Sequence, residues 1–368
     1  MSAPRIVVAT NNGDLGGGEV MLLNIAEALR TIGLDVRVIG PTEPGDVLVE
    51  AMARDLPTIA LPARGRKQYM AALRVWRMLH PNTLLWCNGL VPSFATAGIG
   101  PRLVHLHQLP TGAQQSAAEL ARAGARELLV PSTYMASRIH HGRVLQNWTE
   151  EIEFAPHRSA EDGPLRVGFL GRLTIAKGVE VLARAMEQVI SHAPREVRLV
   201  VAGENRFGDS EDDRRVAEAL GRLAPRVEKL GWMDRGDFFH VIDLLVLPSV
   251  FPESFGLAAA EAMGAGIPVV ISDAGALPEV TGQHHPWIAR SGDAEDLAGV
   301  MLRALGGMPE ERDTVVRAAR HRWEERFSPD AGTRRVAQLL SELDSPRRTR
   351  RVMRRAVASE PGPKRGRA

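Results

Sequence analysis

The 368-residue chain has a single cysteine, Cys87, which excludes an internal disulfide framework and suits a reducing compartment. No apolar run approaches the roughly 20 residues that span a bilayer. The opening MSAPRIVVATNNG lacks a signal-peptide pattern and passes straight into a strand pattern, so the expected location is cytoplasmic. The sequon Asn147-Trp148-Thr149 is then expected to go unused. Neither G-x-G-x-x-G nor G-x-x-x-x-G-K-[ST] occurs, so neither the dinucleotide nor the P-loop fingerprint is met. A large net charge is missing too: the formal value is +2. Even that figure hides a split. Residues 346–368 hold nine Lys/Arg against one acid, Glu360, leaving a body of 37 basic and 43 acidic side chains, net −6. The basic character belongs to an appendage, which argues against a nucleic-acid-binding body.

What is present is an ordinary globular composition, 44% hydrophobic and 24% charged, in a chain long enough for two domains. Apolar, β-branched runs predict strands at residues 5–10, 36–39, 58–61, 84–87, 102–106 and 127–130. After the acidic and turn-forming Glu161-Asp162-Gly163-Pro164 the alternation restarts, with strands at 165–170, 198–201, 227–230, 242–247 and 268–271. The expected fold class is α/β, two consecutive doubly wound halves facing a cleft lined by strand ends. The expected divisions are 1–162, 163–328, a helix 329–345 returning to the first half across a break at Phe327-Ser328-Pro329, and a tail 346–368.

Several stretches carry candidate chemistry. Gly171-Arg172-Leu173-Thr174-Ile175-Ala176-Lys177-Gly178 follows a strand and precedes a helix, so Arg172 and Lys177 would join helix N-terminal N–H groups at a diphosphate. In VLPSVFPESFGLAAAEAMGAGIPVV (246–270), prolines end a strand and place Glu253 ahead of a small-residue helix carrying Glu261. Eight residues of helix span about 12 Å, enough to grip two ends of one elongated polar ligand; a helix cap plus a solvated face is the plainer reading. Gly16, Gly17 and Gly18 open a helix near 19–31 and form either an anion- or polyol-binding loop or a plain tight turn. His107, just past a strand end, is either a hydrogen-bonded loop residue or a group facing the cleft. His105, deeper in the strand, reads as a core histidine. In residues 63–80, Tyr69, Leu73, Trp76 and Leu79 share one face, while Arg64, Arg66, Lys67, Arg74 and Arg77 decorate the rest. That is either a crossover helix with a solvated basic side or a docking face for anionic lipid or acceptor. The tail reads as disordered or as a polybasic membrane contact.

The stretches GRLTIAKG, PSVFPESFGLAAAEAMGAGIPVVISDAGALPEV and SGDAEDLAGVMLRAL resemble the retaining, nucleotide-sugar-dependent glycosyltransferases of the GT-B fold, called group 1 or family 4. GGGE, LVHLH, LLVPSTYMASRI and VLQNW fit the same pattern more loosely. The resemblance covers roughly residues 5 to 345 and is most specific from about 165 to 300. It implies a GT-B architecture of two Rossmann-like domains and a sugar transfer that needs neither metal nor cofactor beyond the nucleoside-diphosphate sugar. It also implies site roles. Arg172 and Lys177 hold the diphosphate, Glu253 contacts the transferred sugar, and Glu261 contacts the ribose. Phe255, Gly256 and Leu257 offer backbone amides, Gly17 and Gly18 close on the donor, and His107 lies near the reacting centre. The lack of a convincing D-x-D in a cleft loop is consistent with this. The implied partners are the donor and a hydroxyl acceptor, lipid-linked if the membrane readings hold, and no nucleic acid. Rivals are another sugar-nucleotide enzyme on this scaffold, such as an epimerase, and a silent nucleotide-sugar-binding member. Intact Arg172, Lys177, Glu253 and Glu261 argue against the silent one.

Overall fold

Eleven apolar runs predicted as strands are strands in the computed structural model, which describes residues 5–154, 163–204 and 210–344. The first sheet holds β1 (Arg5–Ala9), β2 (Asp35–Pro41), β3 (Thr58–Leu61), β4 (Leu84–Asn88), β5 (Arg102–His105), β6 (Glu127–Val130) and β7 (Arg143–Val144). The second holds β8 (Leu165–Leu170), β9 (Val197–Ala202), β10 (Val227–Gly231), β11 (Leu244–Leu247), β12 (Val269–Ser272) and β13 (Ile288–Ala289). Their orders are β3-β2-β1-β4-β5-β6-β7 and β10-β9-β8-β11-β12-β13. Every paired strand runs parallel. A parallel sheet is covered on both faces, which is why its strands read as unbroken apolar runs. β1 illustrates the two faces. Ile6 and Val8 pack with Met21, Leu22 and Val336, whereas Val7 and Ala9 pack with Tyr69, Leu73 and Leu85 on the other side.

Between the sheets the chain runs through a buried strap. Asn147, Trp148 and Thr149 are 5%, 2% and 2% exposed, so the sequon is closed to modifying enzymes. Trp323 Nε1 donates to Thr149 Oγ1 at 2.8 Å, and Asn24 Nδ2 donates to the Trp148 carbonyl at 3.1 Å. The final helices, Pro309–Arg326 and Pro329–Asp344, break at Phe327 and Ser328. The second of them places Val336 and Leu339 in the core of the first sheet. It lies against Trp148 so closely that a Cβ on Gly332 would sit 2.2 Å from the indole. Of the proposed boundary, Glu161 and Asp162 lie outside the described residues, as does the tail 346–368.

The helix Arg66–Leu79 corrects two expectations. Tyr69 and Leu73 pack on the sheet as their spacing predicts. Arg77, expected in solvent, is 0% exposed, and Leu79, expected on the packed face, is 73% exposed. The guanidinium can be buried because its N–H groups find carbonyls. Nε donates to Ile99 at 2.9 Å, Nη1 to His80 and Thr83 at 3.0 and 2.6 Å, and Nη2 to Pro101 at 3.0 Å. Gly100, at φ 61°, leaves the room: a Cβ there would lie 2.0 Å from Nη2.

Candidate active site

Ligands in doubly wound sheets bind outside the carboxyl ends of the strands, where the strand order reverses. In the first sheet that point lies between β1 and β4, in the second between β8 and β11. The sequence puts its unusual residues there. The glycine-rich loop follows β1 and Asn88 ends β4, while residues 171–178 follow β8 and residues 248–256 follow β11.

In the second half the two loops are stitched together. Val250 and Phe251 donate their N–H groups to the Ala176 carbonyl at 3.0 and 3.1 Å. Gly178 has φ 78°, and a Cβ on it would meet the Pro248 carbonyl at 1.9 Å. Only glycine permits that approach. The result puts Lys177 Nζ 2.6 Å from Glu253 Oε1, which also accepts from Ser249 Oγ at 2.5 Å. The pair keeps a partial opening to solvent, with side-chain exposures of 30% and 18%. Glu253 is held by its backbone as well: its carbonyl accepts from Ala276 N at 2.9 Å. Arg172 is exposed and engages no carboxylate among the described residues.

The helix Leu257–Ala265 opens at Gly256, whose φ of 107° is a glycine conformation and which supplies no side-chain cap. Glu253 therefore does not cap this helix. Its first two N–H groups, those of Leu257 and Ala258, have no intrahelical acceptor, whereas Ala259 N donates to the Gly256 carbonyl at 3.1 Å. Phe255 is buried against Phe327, ring centroids 5.5 Å apart. Glu261 is not on a solvated face. It is 2% exposed, and its carboxylate is paired with Arg235 of the short helix Arg235–Phe239. Burial raises the Glu261 carboxyl above its usual range, against the opposing pull of the Arg235 guanidinium.

In the first half the chemistry is neutral. Asn88 Nδ2 donates to the Gly18 carbonyl at 2.9 Å, which turns Asn88 Oδ1 toward His107 Nε2 at 2.6 Å. A carbonyl oxygen accepts, so Nε2 carries the ring proton and Nδ1 is bare. His107 is half-buried, and burial lowers its pKa to about 4, so the ring is neutral at physiological pH. His105, fully buried beneath it at a centroid distance of 4.1 Å, is held well below its ordinary pKa by burial and is the core histidine its depth predicts. A Cβ on Gly18 would lie 3.9 Å from His107 Cδ2, and one on Gly17 would lie 3.3 Å from Leu257 Cδ1. Gly17, Gly18, His107 and Leu257 therefore meet across the cleft.

Residues 164–306 match the family described as Glycosyl transferases group 1. The match covers 143 of the 368 residues, all of them in the second half. An uncharacterized glycosyltransferase of Methanocaldococcus jannaschii is 37% identical over 138 residues, 36% of this chain and 34% of that protein. The amylovoran biosynthesis glycosyltransferase AmsK of Erwinia amylovora is 31% identical over 198 residues, 50% and 47% of the two chains. The chain thus spans half or less of the length of these two curated relatives. Among solved structures, the Anabaena protein HepE in complex with UDP-glucose superimposes with a TM-score of 0.76 at 22% identity, covering 92% of this chain and 99% of that one. Sucrose-phosphate synthase of Thermosynechococcus elongatus gives 0.76 at 20% identity, with 92% and 99% covered. The fold is GT-B.

The matched stretch contains Arg172, Lys177, Glu253, Phe255, Gly256, Leu257 and Glu261; Gly17, Gly18 and His107 lie before it. Four polar residues of the site escaped the sequence reading: Asn88, Ser249, Arg235 and Ser132. Asn88 carried a legible signal, a polar residue ending the strand beside β1. Arg235 carried none, since its partner is 26 residues away. Ser132 Oγ donates to the Ser254 carbonyl at 2.6 Å, across 122 residues of chain.

Proposed function

We propose that the protein is a retaining, metal-independent glycosyltransferase. It moves a hexose-type sugar from a nucleoside-diphosphate sugar to an acceptor hydroxyl, with no cofactor besides the donor. The observation that carries this reading is the Lys177–Glu253–Ser249 cluster at the second half's reversal point, beside the open N-terminus of the helix Leu257–Ala265. HepE, solved with UDP-glucose, and AmsK, a transferase of amylovoran biosynthesis, support the donor class and a role in cell-surface polysaccharide assembly.

In this reading the bond from the anomeric carbon to the diphosphate oxygen breaks, and the acceptor oxygen bonds to that carbon from the same face. The acceptor proton passes to the leaving phosphate oxygen. Arg172, Lys177 and the amides of Phe255, Gly256 and Leu257 stabilise the negative charge growing on the diphosphate. Glu253 orients the sugar and Glu261 takes the ribose. His107, neutral with Nε2–H committed to Asn88, forms a wall at the reacting centre and is too weak a base to abstract a proton near pH 7. Gly17 and Gly18 close on the donor.

The acceptor is met at the inner face of an anionic membrane, which fits a cytoplasmic, peripheral protein. No Asp or Glu occurs from Leu56 to Ala118. On the helix Arg66–Leu79, exposed Val75, Met78 and Leu79 stand beside exposed Arg66, Lys67 and Arg74. Among the described residues no helix is long and apolar enough to cross a membrane.

A thermal-shift screen of nucleotide sugars tests the donor class, because a bound donor stabilises the fold by mass action. Proton NMR of the product then reads the anomeric configuration, and inversion would overturn the retaining assignment. Turnover that vanishes with EDTA and returns with Mg²⁺ would overturn metal independence. Sedimentation with phosphatidylglycerol rather than phosphatidylcholine vesicles, by the full chain and by one lacking 346–368, separates the helix from the tail as the membrane contact.

A further inference from the structure

One carboxylate stands apart from the donor site and yet joins the two halves of the molecule. Glu279 lies in the short helix Leu277–Thr281 of the second half. Its oxygens accept from four groups of the first half. Thr133 N lies 3.0 and 2.8 Å from Oε1 and Oε2, Thr133 Oγ1 3.1 Å from Oε1, Tyr134 N 3.2 Å from Oε2, and Gln146 Nε2 3.2 Å from Oε1. Thr133 and Tyr134 follow β6, and Gln146 follows β7. Arg322 fixes the other end, donating to the Glu279 and Val280 carbonyls at 2.7 Å each.

The link leads to the reacting loop. Ala276, one residue before the helix carrying Glu279, donates its N–H to the Glu253 carbonyl at 2.9 Å. Gly275 lies so close to this loop that a Cβ on it would meet Glu253 O at 2.4 Å. A second tie runs parallel to the first, from Ser132 Oγ to the carbonyl of Ser254, the residue after Glu253. Ser132 is fully committed, since its oxygen also accepts from Met135 N at 3.1 Å. Two adjacent residues of the first half thus hold the Glu253 loop by both its flanks.

We propose that Glu279 is a positioning residue. It locks the first half onto the Glu253 loop, so that the His107 wall and the sugar-holding carboxylate keep one separation. The consequence for turnover rests on the function proposed above; the lock itself does not. Hydrogen bonds to an ionised carboxylate are stronger than neutral ones, and four converge on this one. A loosened lock lets the halves swing, which harms a reaction that needs both walls more than it harms nucleotide binding, which needs one.

The test uses the full chain and its Glu279→Ala, Glu279→Gln and Ser132→Ala variants. Hydrogen exchange reads the Thr133 and Tyr134 amides, small-angle scattering reads the radius of gyration, and thermal melting checks the fold. In Glu279→Ala both amides exchange about tenfold faster or more and the radius of gyration rises. Glu279→Gln, which keeps one acceptor oxygen, falls between that variant and the native chain. With UDP-glucose, or whichever donor the thermal-shift screen identifies, kcat falls about tenfold in Glu279→Ala while the Kd for the free nucleotide changes less than about threefold. Unchanged exchange and scattering would overturn the lock, and an unchanged kcat alongside faster exchange would overturn its role in positioning. A native protein inert toward every nucleotide sugar would sink the function proposed above, and the exchange and scattering results would still decide whether Glu279 locks the halves.

Discussion

The two halves repeat one framework and use its reversal point in opposite ways. In the first, the strand ends present glycine backbone, an asparagine and a neutral histidine. In the second, the same positions present two carboxylate–cation pairs, Lys177–Glu253 and Arg235–Glu261. Charge placed at a cleft is costly, so in the function proposed above it marks the side that takes the diphosphate. Neutral hydrogen-bonding surface is adaptable, which suits an acceptor. The contrast teaches that turnover should be broken from the charged side and only modulated from the neutral one.

The largest effect is expected at the Lys177–Glu253 pair. Glu253→Ala or Lys177→Ala should lower kcat by about two to three orders of magnitude, measured as release of nucleotide from the donor, with little change in melting temperature. Equal losses from substitutions on the neutral side would erase the contrast.

Next comes Glu261→Gln, with nucleotide affinity falling about tenfold in calorimetry. The sign of its stability effect is also fixed. The folded-state pKa of Glu261 is raised, so its stabilising contribution is complete below the ordinary carboxyl range and is lost as pH climbs through the raised value. The Gln variant should therefore melt higher than the native protein at pH 8, by a margin that shrinks toward pH 4. Arg235, 42% exposed, can turn to water when its partner loses charge. A lower melting temperature at pH 8 would mean that the ion pair, not its desolvation, dominates.

His107→Asn should cost less, about tenfold in kcat, and should leave the pH profile between 6 and 8 unchanged because the ring is neutral throughout. Its folded pKa is depressed, so the stability it contributes is full above the ordinary histidine value near 6.5 and is lost as pH falls through about 4. NMR of the ring protons, flat from pH 8 to 5.5, checks this. The smallest effect belongs to Gly17→Ala, whose Cβ would press Leu257 at 3.3 Å and raise the KM for donor about two- to threefold.

Much of the architecture was legible because parallel strands buried on both faces leave contiguous apolar runs, and all eleven longer strands were found that way. β7 and β13 were not, since two residues make no pattern. Sequence position also brought Glu253 and Lys177 to one sheet edge. It was blind to what pairs with what: Lys177 meets Glu253 across 76 residues, and Glu279 meets Thr133 across 146. Side-chain identity misled at Arg77, where charge signalled solvent. Backbone carbonyls from a later loop, made approachable by Gly100, reversed that preference.

The helix Pro329–Asp344 supplies Val336 and Leu339 to the core of the first sheet, although more than 180 residues separate it from β7. On the ribosome, the first half therefore emerges with an open groove beside Met21, Leu22 and Trp148 that stays unfilled until Val336 and Leu339 have been made. The second half has all its own strands by Ala289, but its core also waits, for Trp323 and Phe327. Two neighbouring helices thus close the two cores, one each, so the halves are completed almost together.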